Sequence, residues 1–419
     1  MARSRGKQRS RRRESALASH PPRELLARGG LALGLGVLGY VGTASSLALV
    51  ITKADPAQAY VMAPDNGVIL ADYAQSEFVR APSKENNSLS ASLARRALLS
   101  DPTAADALTV LGFQAQLRGE AVRADRIFSY STALTRRELR PRLWAIEQAV
   151  ERGDIVGALR NYDIALRTSR DASELLYPTL ASAMSEPRIR AALLPILDSN
   201  PIWKDGFVAY AADSGTEPEG AIALFQEGRS IGLEPTDASR VNLVNTLFAQ
   251  NKYNEAWAYY GTFRAGARRD RSRDPAFSLA EPRRAIFDWQ PGADTRLSAA
   301  ILRNGSSGLL DFSVPPSVGG ILVSQTQLLP AGPYRLEGRS RGVDQPARSR
   351  PYWSLVCRDG RELGRVTLPN SAINDGRFAG RFVVPEGCQS QTLSLIARST
   401  DDIMGISGQI ESASLVSER

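Results

Sequence analysis

From Gly29 to Thr52 the chain runs for 24 residues without one charged side chain, GGLALGLGVLGYVGTASSLALVIT, and Lys53 closes the run. A helix of that length reaches roughly 36 Å, enough to cross a hydrocarbon layer of about 30 Å with some tilt. A single membrane-spanning helix over 29–52 is therefore expected. Nine basic residues precede it (Arg3, Arg5, Lys7, Arg9, Arg11, Arg12, Arg13, Arg23 and Arg28) against Glu14 and Glu24, a balance of +7. On the other side, Lys53 is accompanied by Asp55, Asp65 and Asp72. Basic flanks stay in the cytoplasm, so residues 1–28 are read as a disordered cytoplasmic tail, with the bulk of the chain beyond the membrane. Because the whole chain carries +8, the remainder is close to neutral, and the basic balance gives no ground for a nucleic-acid partner.

The competing reading of this run is a cleaved signal peptide, with Ala57-Gln58-Ala59 as a small-x-small cleavage site. Hydrophobic regions of signal peptides usually span 7 to 15 residues, which favours an uncleaved anchor here. Gly30, Gly34 and Gly42 share a helix face that a second helix could approach closely. The lone His, His20, lies in the basic start, so a His-dependent triad or His-ligated zinc site in the folded part is excluded. Two Cys without C-x-x-C spacing exclude a four-Cys metal site. No catalytic residues, metal ligands or cofactors are expected.

Between about Ser88 and Arg264 the sequence repeats at a period of 34. Ser90, Ala124, Ala158 and Ala192 form one column; Ala94, Phe128, Tyr162 and Ile196 a second; Ala97, Ser131, Ala165 and Ser199 a third. Ala115, Ala149 and Ala183 align earlier in the unit, as do Gly119 and Gly153. Spacings of four and three put small, bulky and small residues on one buried helical stripe. Small residues allow helices to cross closely, and the glycines suit a turn with positive φ.

On these columns, and on the unit ALTVLGFQAQLRGEAVRADRIFSYSTAL with Leu111, Gly112, Gly119, Ala124 and Phe128, residues 85–264 resemble the tetratricopeptide repeat (TPR) family. Later units depart from the pattern: Ile146 and Leu180 stand in the Gly column, Pro187 at the turn, and the phase slips after Ile196. The resemblance implies an α-solenoid of five to six helix hairpins, whose first helices line a groove for a protein partner. Carried over, the groove positions are Asp106, Thr109, Phe113 and Gln116, then Arg140, Leu143 and Glu147.

Residues 53–84 read as a connecting segment, and 265–284, with RAGARRDRSRDP, as a solvated linker. From 285 to 419 short alternating runs take over. Strands are expected at 285–290, 309–314, 321–329, 334–339, 353–357, 364–368, 378–384, 392–398 and 406–416, which indicates an antiparallel β-sandwich of jelly-roll type. Trp353, Leu355 and Cys357 share an inward face, as do Phe378, Phe382 and Val384. Cys357 and Cys388 both lie at strand ends, where an oxidising compartment would join them in a disulfide.

The sandwich resembles carbohydrate-binding and lectin-like modules in architecture. Trp289 and Tyr352 are the aromatics least committed to a core face and are the candidate sugar contacts. Asp288 and Asp294 could assist, or bind calcium, though without an EF-hand spacing. The expected protein is a non-enzymatic scaffold in the inner membrane of a Gram-negative bacterium, single-pass and mostly periplasmic. It would bind a protein through its repeats, with a role in envelope or exopolysaccharide assembly. The alternatives are a carbohydrate-binding accessory protein, or a glycoside-active enzyme using carboxylates among Asp288, Asp311, Asp375 and Glu386.

Overall fold

The computed structural model describes residues 22–305, 307–400 and 403–418. The chain divides into two compact units, Met1–Ala172 and Ser173–Arg419. Helices α1 to α14 and strands β1 to β10 account for the regular structure among the described residues. Most of the basic start, with His20, lies outside them; residues 22–28, read from the sequence as part of a disordered tail, belong instead to the first helix.

In the first unit, α1 (Pro22–Ile51) carries an apolar stretch, Leu26–Ile51, long enough to cross a membrane. Residues 53–84 are not a loose connection. They fold into α2 (Pro56–Met62), started by the Asp55 side chain accepting from Gln58 N–H, and α3 (Gly67–Arg80), capped by Asn66. The last turns of α1 pack into this body: Ala48 is fully buried and, with Ile51, meets Ala59, Ala63 and Ile69. The apolar helix and the folded unit are thus joined without a hinge segment.

Next come α4 (Leu89–Ser100), α5 (Ala105–Leu117), α6 (Ala121–Leu134), α7 (Leu139–Glu151) and α8 (Ile155–Thr168). The aligned columns are the buried stripe: Ser90, Ala94 and Ala97 on α4; Ala124, Phe128 and Ser131 on α6; Ala158, Tyr162 and Ala165 on α8. Gly119 and Gly153 sit at φ +77° and +71°, as the turns between paired helices demand. Gly112 serves closeness of approach, because a Cβ there would come within 2.6 Å of the Phe128 ring. Phe128 is 1% exposed and lies between Phe113 and Trp144. Phe128→Ala is expected to cost about 3–5 kcal/mol in urea unfolding, through lost burial and an unfilled cavity. Phe113→Ala, at a half-buried position, should cost distinctly less.

In the second unit, α9 (Ala172–Ser182), which contains Pro178, leads to α10 (Pro187–Asp198), α11 (Lys204–Asp213), α12 (Pro218–Glu227), α13 (Asp237–Ala249) and α14 (Tyr253–Phe263). The column continued through Ala192, Ile196 and Ser199 is out of phase here. Leu193 and Leu197 are the buried apolar residues of α10, beside the buried Arg190, while Ala192 and Ile196 are half-buried and Ser199 is exposed. Pro187 at the first turn of α10 restarts the helix one residue out of register with the earlier stripe.

The sandwich belongs to the same unit. Its strands are β1 (Gln290–Pro291), β2 (Ser298–Asn304), β3 (Ser307–Val314), β4 (Gly320–Gln327), β5 (Gly332–Arg341), β6 (Tyr352–Cys357), β7 (Glu362–Thr367), β8 (Arg377–Val384), β9 (Gln391–Ala397) and β10 (Ile406–Ser417). They form two five-stranded sheets, β1-β4-β9-β6-β7 and β2-β3-β10-β5-β8, with every pairing antiparallel. The inward residues Trp353, Leu355, Cys357, Phe378, Phe382 and Val384 are buried between them. Two strand assignments from sequence need correction. The run 285–290 is mainly a turn that yields only the start of β1, and β2 escaped notice because SAAILRN is a weakly buried edge strand.

The segment 265–284 is not a solvated linker. Phe277 is fully buried in the sandwich core, Ser272 N–H donates to the Leu415 carbonyl at 2.8 Å, and Ala413 N–H donates to the Pro275 carbonyl at 2.8 Å. Its charges are drawn inward as well. Arg273 bonds Asp288 and Glu281, both at 2.5 Å, while Arg264 bonds Asp237 at 2.7 Å and Glu281 at 3.0 Å. Tyr260 on α14 donates to Asp288 Oδ1 at 2.5 Å. Beside this network Phe287 meets the rings of Phe248, Trp257 and Tyr260 edge-on, so the helices of the second unit and its sandwich share one interior.

Candidate functional site

The densest gathering of uncommitted chemistry in the first unit lies where α1 ends. Thr52 Oγ1 and Lys53 Nζ donate to Asp72 of α3, at 3.1 and 2.6 Å. Asp106, in the first turn of α5, stands 3.9 Å from the same ammonium. Glu138, the residue before α7, hydrogen-bonds Asp106 and lies 3.6 Å from Arg140. Gln75 of α3 donates to Asp106 and accepts from Arg140. Together they surround a cavity of about 490 Å³.

Burial, first, and the Asp106 carboxyl, second, push the Glu138 carboxyl up to about 7, against the pull of Arg140. Near neutral pH the Glu138 carboxyl is therefore partly protonated. The arrangement can bind a cation on the carboxyl pair and an anion between Lys53 and Arg140.

Of the groove residues expected from the repeat resemblance, Asp106 and Arg140 meet in this cavity. The other first-helix positions separate. Thr109 is 1% exposed and its hydroxyl donates to the Ala105 carbonyl, so it belongs to the interior and not to a groove. Phe113 is half-buried in an aromatic row, 6.2 Å from Phe78 and 5.1 Å from Phe128 between centroids. Gln116 is exposed and accepts from the Trp144 indole N–H at 3.3 Å, Leu143 is half-buried, and Glu147 is exposed. Sequence reasoning missed Lys53, Asp72 and Glu138, because they lie outside the repeat columns that signalled the groove.

The sandwich candidates also need correction. Trp289 is 3% exposed, packs on Phe277 and Trp353, and donates its indole N–H to the Asp274 carbonyl at 2.9 Å, so no sugar can stack on it. Tyr352 is half-buried on the outer face of β6, and the Arg365 and Arg398 guanidiniums lie 4.9 and 4.8 Å from its ring centroid. Asp288 is committed to Arg273, Tyr260 and the Ala285 N–H, which leaves it unable to act as an acid or base on a bound glycan. Asp294 is paired with Arg296 across two residues, Asp311 accepts from Gln409, Asp375 pairs with Arg339, and Glu386 is exposed. A polar cavity of about 360 Å³, lined by Arg339, Asp344, Asn370, Asp375 and Glu411 among others, is the sandwich's own candidate pocket. Cys357 and Cys388 are joined in a disulfide, with Cα atoms 5.7 Å apart. Among the described residues no group of three or more His, Cys, Asp and Glu is placed to hold a metal ion.

No family model matches the chain, and no curated protein matches it. Among solved structures, it is similar to tailspike protein 4 of bacteriophage CBA120 at 13% identity and TM-score 0.25, over 36% of this chain and 22% of that one. It is similar to pilF of Pseudomonas aeruginosa at 14% identity and TM-score 0.26, over 55% of this chain and 95% of that one. The C-terminal CBM6 of LamC from Zobellia galactanivorans matches at 13% identity and TM-score 0.19, over 30% of this chain and 93% of that one. The chain thus spans about a fifth of the phage protein. Likeness this distant carries no functional argument, and the architecture stands on the geometry above: a helical region with one long apolar helix, followed by a two-sheet antiparallel sandwich.

Proposed function

We propose that the protein is a membrane-anchored adaptor that works by binding, holding a protein partner through its TPR-like repeats on the periplasmic side of an inner membrane. One observation carries this reading. The apolar helix enters the folded unit without a hinge, through buried Ala48 and the Thr52 and Lys53 contacts to Asp72, so the first repeats are held at a fixed height against the bilayer. Such fixation raises the effective concentration of a bound partner beside other membrane components, which is how an assembly factor for envelope or exopolysaccharide machinery would act. The disulfide fits delivery to an oxidising compartment.

A photo-crosslinking residue at exposed Gln116 or Glu147, in cells, tests the adaptor role. A discrete adduct to a membrane-associated protein is expected, and its absence at both positions in correctly folded protein removes the reading. A C-terminal fluorescent reporter that lights only in the cytosol should stay dark.

A second reading gives the sandwich a glycan ligand. The cavity with Asp344, Asn370 and Asp375 offers the amide and carboxylate groups that sugar hydroxyls need, though it lacks an aromatic platform. Glycan-array binding abolished by Asn370→Ala would support it, and an array without signal would end it.

A further inference from the structure

We propose that the cavity at the end of α1 is a binding site for a zwitterionic lipid headgroup, one that carries a phosphate and a primary ammonium. It rests on the reading of α1 as a membrane span, and it names a ligand that the adaptor role does not require.

Height is the first support. Counting from Arg28, the first charge before the apolar run, about 30 Å of helix ends near Ala48. Ala48 is already covered by protein, and Thr52 and Lys53 lie one turn further on, in the wall of the cavity. The hydrocarbon layer therefore ends just before the cavity begins, which places the cavity at the level where lipid headgroups lie.

Charge pattern is the second support. Lys53 uses one N–H on Asp72 at 2.6 Å, and its side chain is 75% exposed, so donors remain for a phosphate. Arg140, 47% exposed, adds a second positive charge at the cavity wall. Beside these cations, 3.9 Å from the Lys53 ammonium and 3.6 Å from the Arg140 guanidinium, stand the Asp106 and Glu138 carboxyls, a pair that suits a primary ammonium donating to both oxygen sets. A phosphoglycerol headgroup would bring the same phosphate to Lys53 and Arg140 but no ammonium for the Asp106 and Glu138 carboxyls. A choline headgroup has no N–H to donate. The walls thus select ethanolamine chemistry among phospholipids.

Glu138 faces Asp106 from α5, Arg140 on its own helix, Lys53 at the end of α1, and Asp72, Gln75 and Arg80 of α3. With its carboxyl pushed up to about 7, Glu138 is partly protonated near neutral pH, and a bound ammonium favours its ionised form. Binding then releases a proton. Affinity should rise as pH climbs through about 7 and fall below it.

The test uses the full-length protein in detergent solution, with native mass spectrometry of retained dioleoyl phosphatidylethanolamine, phosphatidylcholine and phosphatidylglycerol, and glycerophosphoethanolamine as the chain-free probe. Phosphatidylethanolamine should be retained roughly tenfold over the other two, the worth of one charge-assisted hydrogen bond. Glu138→Gln and Asp106→Asn should erase that preference and its pH dependence, while Lys53→Gln lowers retention of all three lipids. Competition by glycerophosphoethanolamine identifies the headgroup as the recognised part; retention that it leaves untouched assigns binding to the acyl chains and overturns the site. Equal or tighter retention of phosphatidylglycerol also overturns it, as does wild-type behaviour of both carboxyl variants with unchanged circular dichroism. Carbonate extraction of membranes checks the span separately. Protein released by carbonate would sink the anchor alone, and glycerophosphoethanolamine binding would still decide the pocket.

Discussion

Replacing Asp288 with alanine is expected to lower the stability of the second unit by about 3–5 kcal/mol, the usual cost of removing one member of a buried ion pair. Arg273 and Arg264 have side chains only 8% and 6% exposed, and Asp288 lies 2.5 Å from the first and 4.0 Å from the second. The same carboxylate accepts from Tyr260 and from the Ala285 N–H. Burial, first, and the Asp288 charge, second, push the Tyr260 phenol well above its ordinary range, so it stays a neutral donor at any physiological pH. Without Asp288, the Arg273 guanidinium and the Tyr260 phenol lose their shared acceptor where water cannot replace it, and Arg264 loses a nearby counter-charge. For a unit of this size the melting temperature should fall by roughly 10 °C in a thermal scan. Asp294→Ala, which removes a half-buried surface carboxylate paired with the exposed Arg296, should leave it nearly unchanged. A shift of less than a few degrees for Asp288→Ala would mean that Glu281 and Asp237 re-pair both arginines.

The paired substitution Cys357→Ala with Cys388→Ala is expected to cost the sandwich about 3–4 kcal/mol. The bond spans a sequence separation of 31, and opening a loop of that length returns conformational freedom to the unfolded chain. Both sulfurs are buried, at 3% and 7% exposure, so little of the change comes from the surface. Urea unfolding of the oxidised protein, the reduced protein and the double variant should place the last two together, well below the first. Superimposable curves for all three would show that the two sheets are held by their apolar interior alone. Protein isolated from cells should carry the bond if the sandwich lies in an oxidising compartment, and alkylation under denaturing conditions reads this directly.

Periodicity was a reliable guide wherever one chain segment both sets the spacing and supplies the buried face. Ala124, Phe128 and Ser131 recur with Ala158, Tyr162 and Ala165 because each hairpin buries the same stripe against its neighbour, so the columns are visible without coordinates. Trp353, Leu355 and Cys357 alternate for the same reason within one strand. Reading by period failed beyond Pro187, where the helix restarts out of phase and Leu193 and Leu197 take the buried places. It failed again in the arginine-rich segment before Pro275. Charge there suggested solvent, yet Arg264 and Arg273 are buried because Asp237, Glu281 and Asp288 arrive from elsewhere in the chain to meet them.

The cavity at the end of the apolar helix was half visible. Asp106 and Arg140 could be named from their repeat positions, but Lys53 and Asp72 belong to the segment read as a connection, and Glu138 lies outside the repeat columns. What the linear order determined by itself is what local periodicity encodes: an apolar span, stacked helix hairpins, a sandwich and the two cysteines at strand ends. What only the tertiary structure decided is which charges lose their water. Desolvation depends on segments distant in sequence closing over a group. That is why Trp289 is core and not a sugar platform, why Asp288 is a buried counter-ion, and why the Glu138 carboxyl is pushed up to about 7 beside the end of the apolar helix.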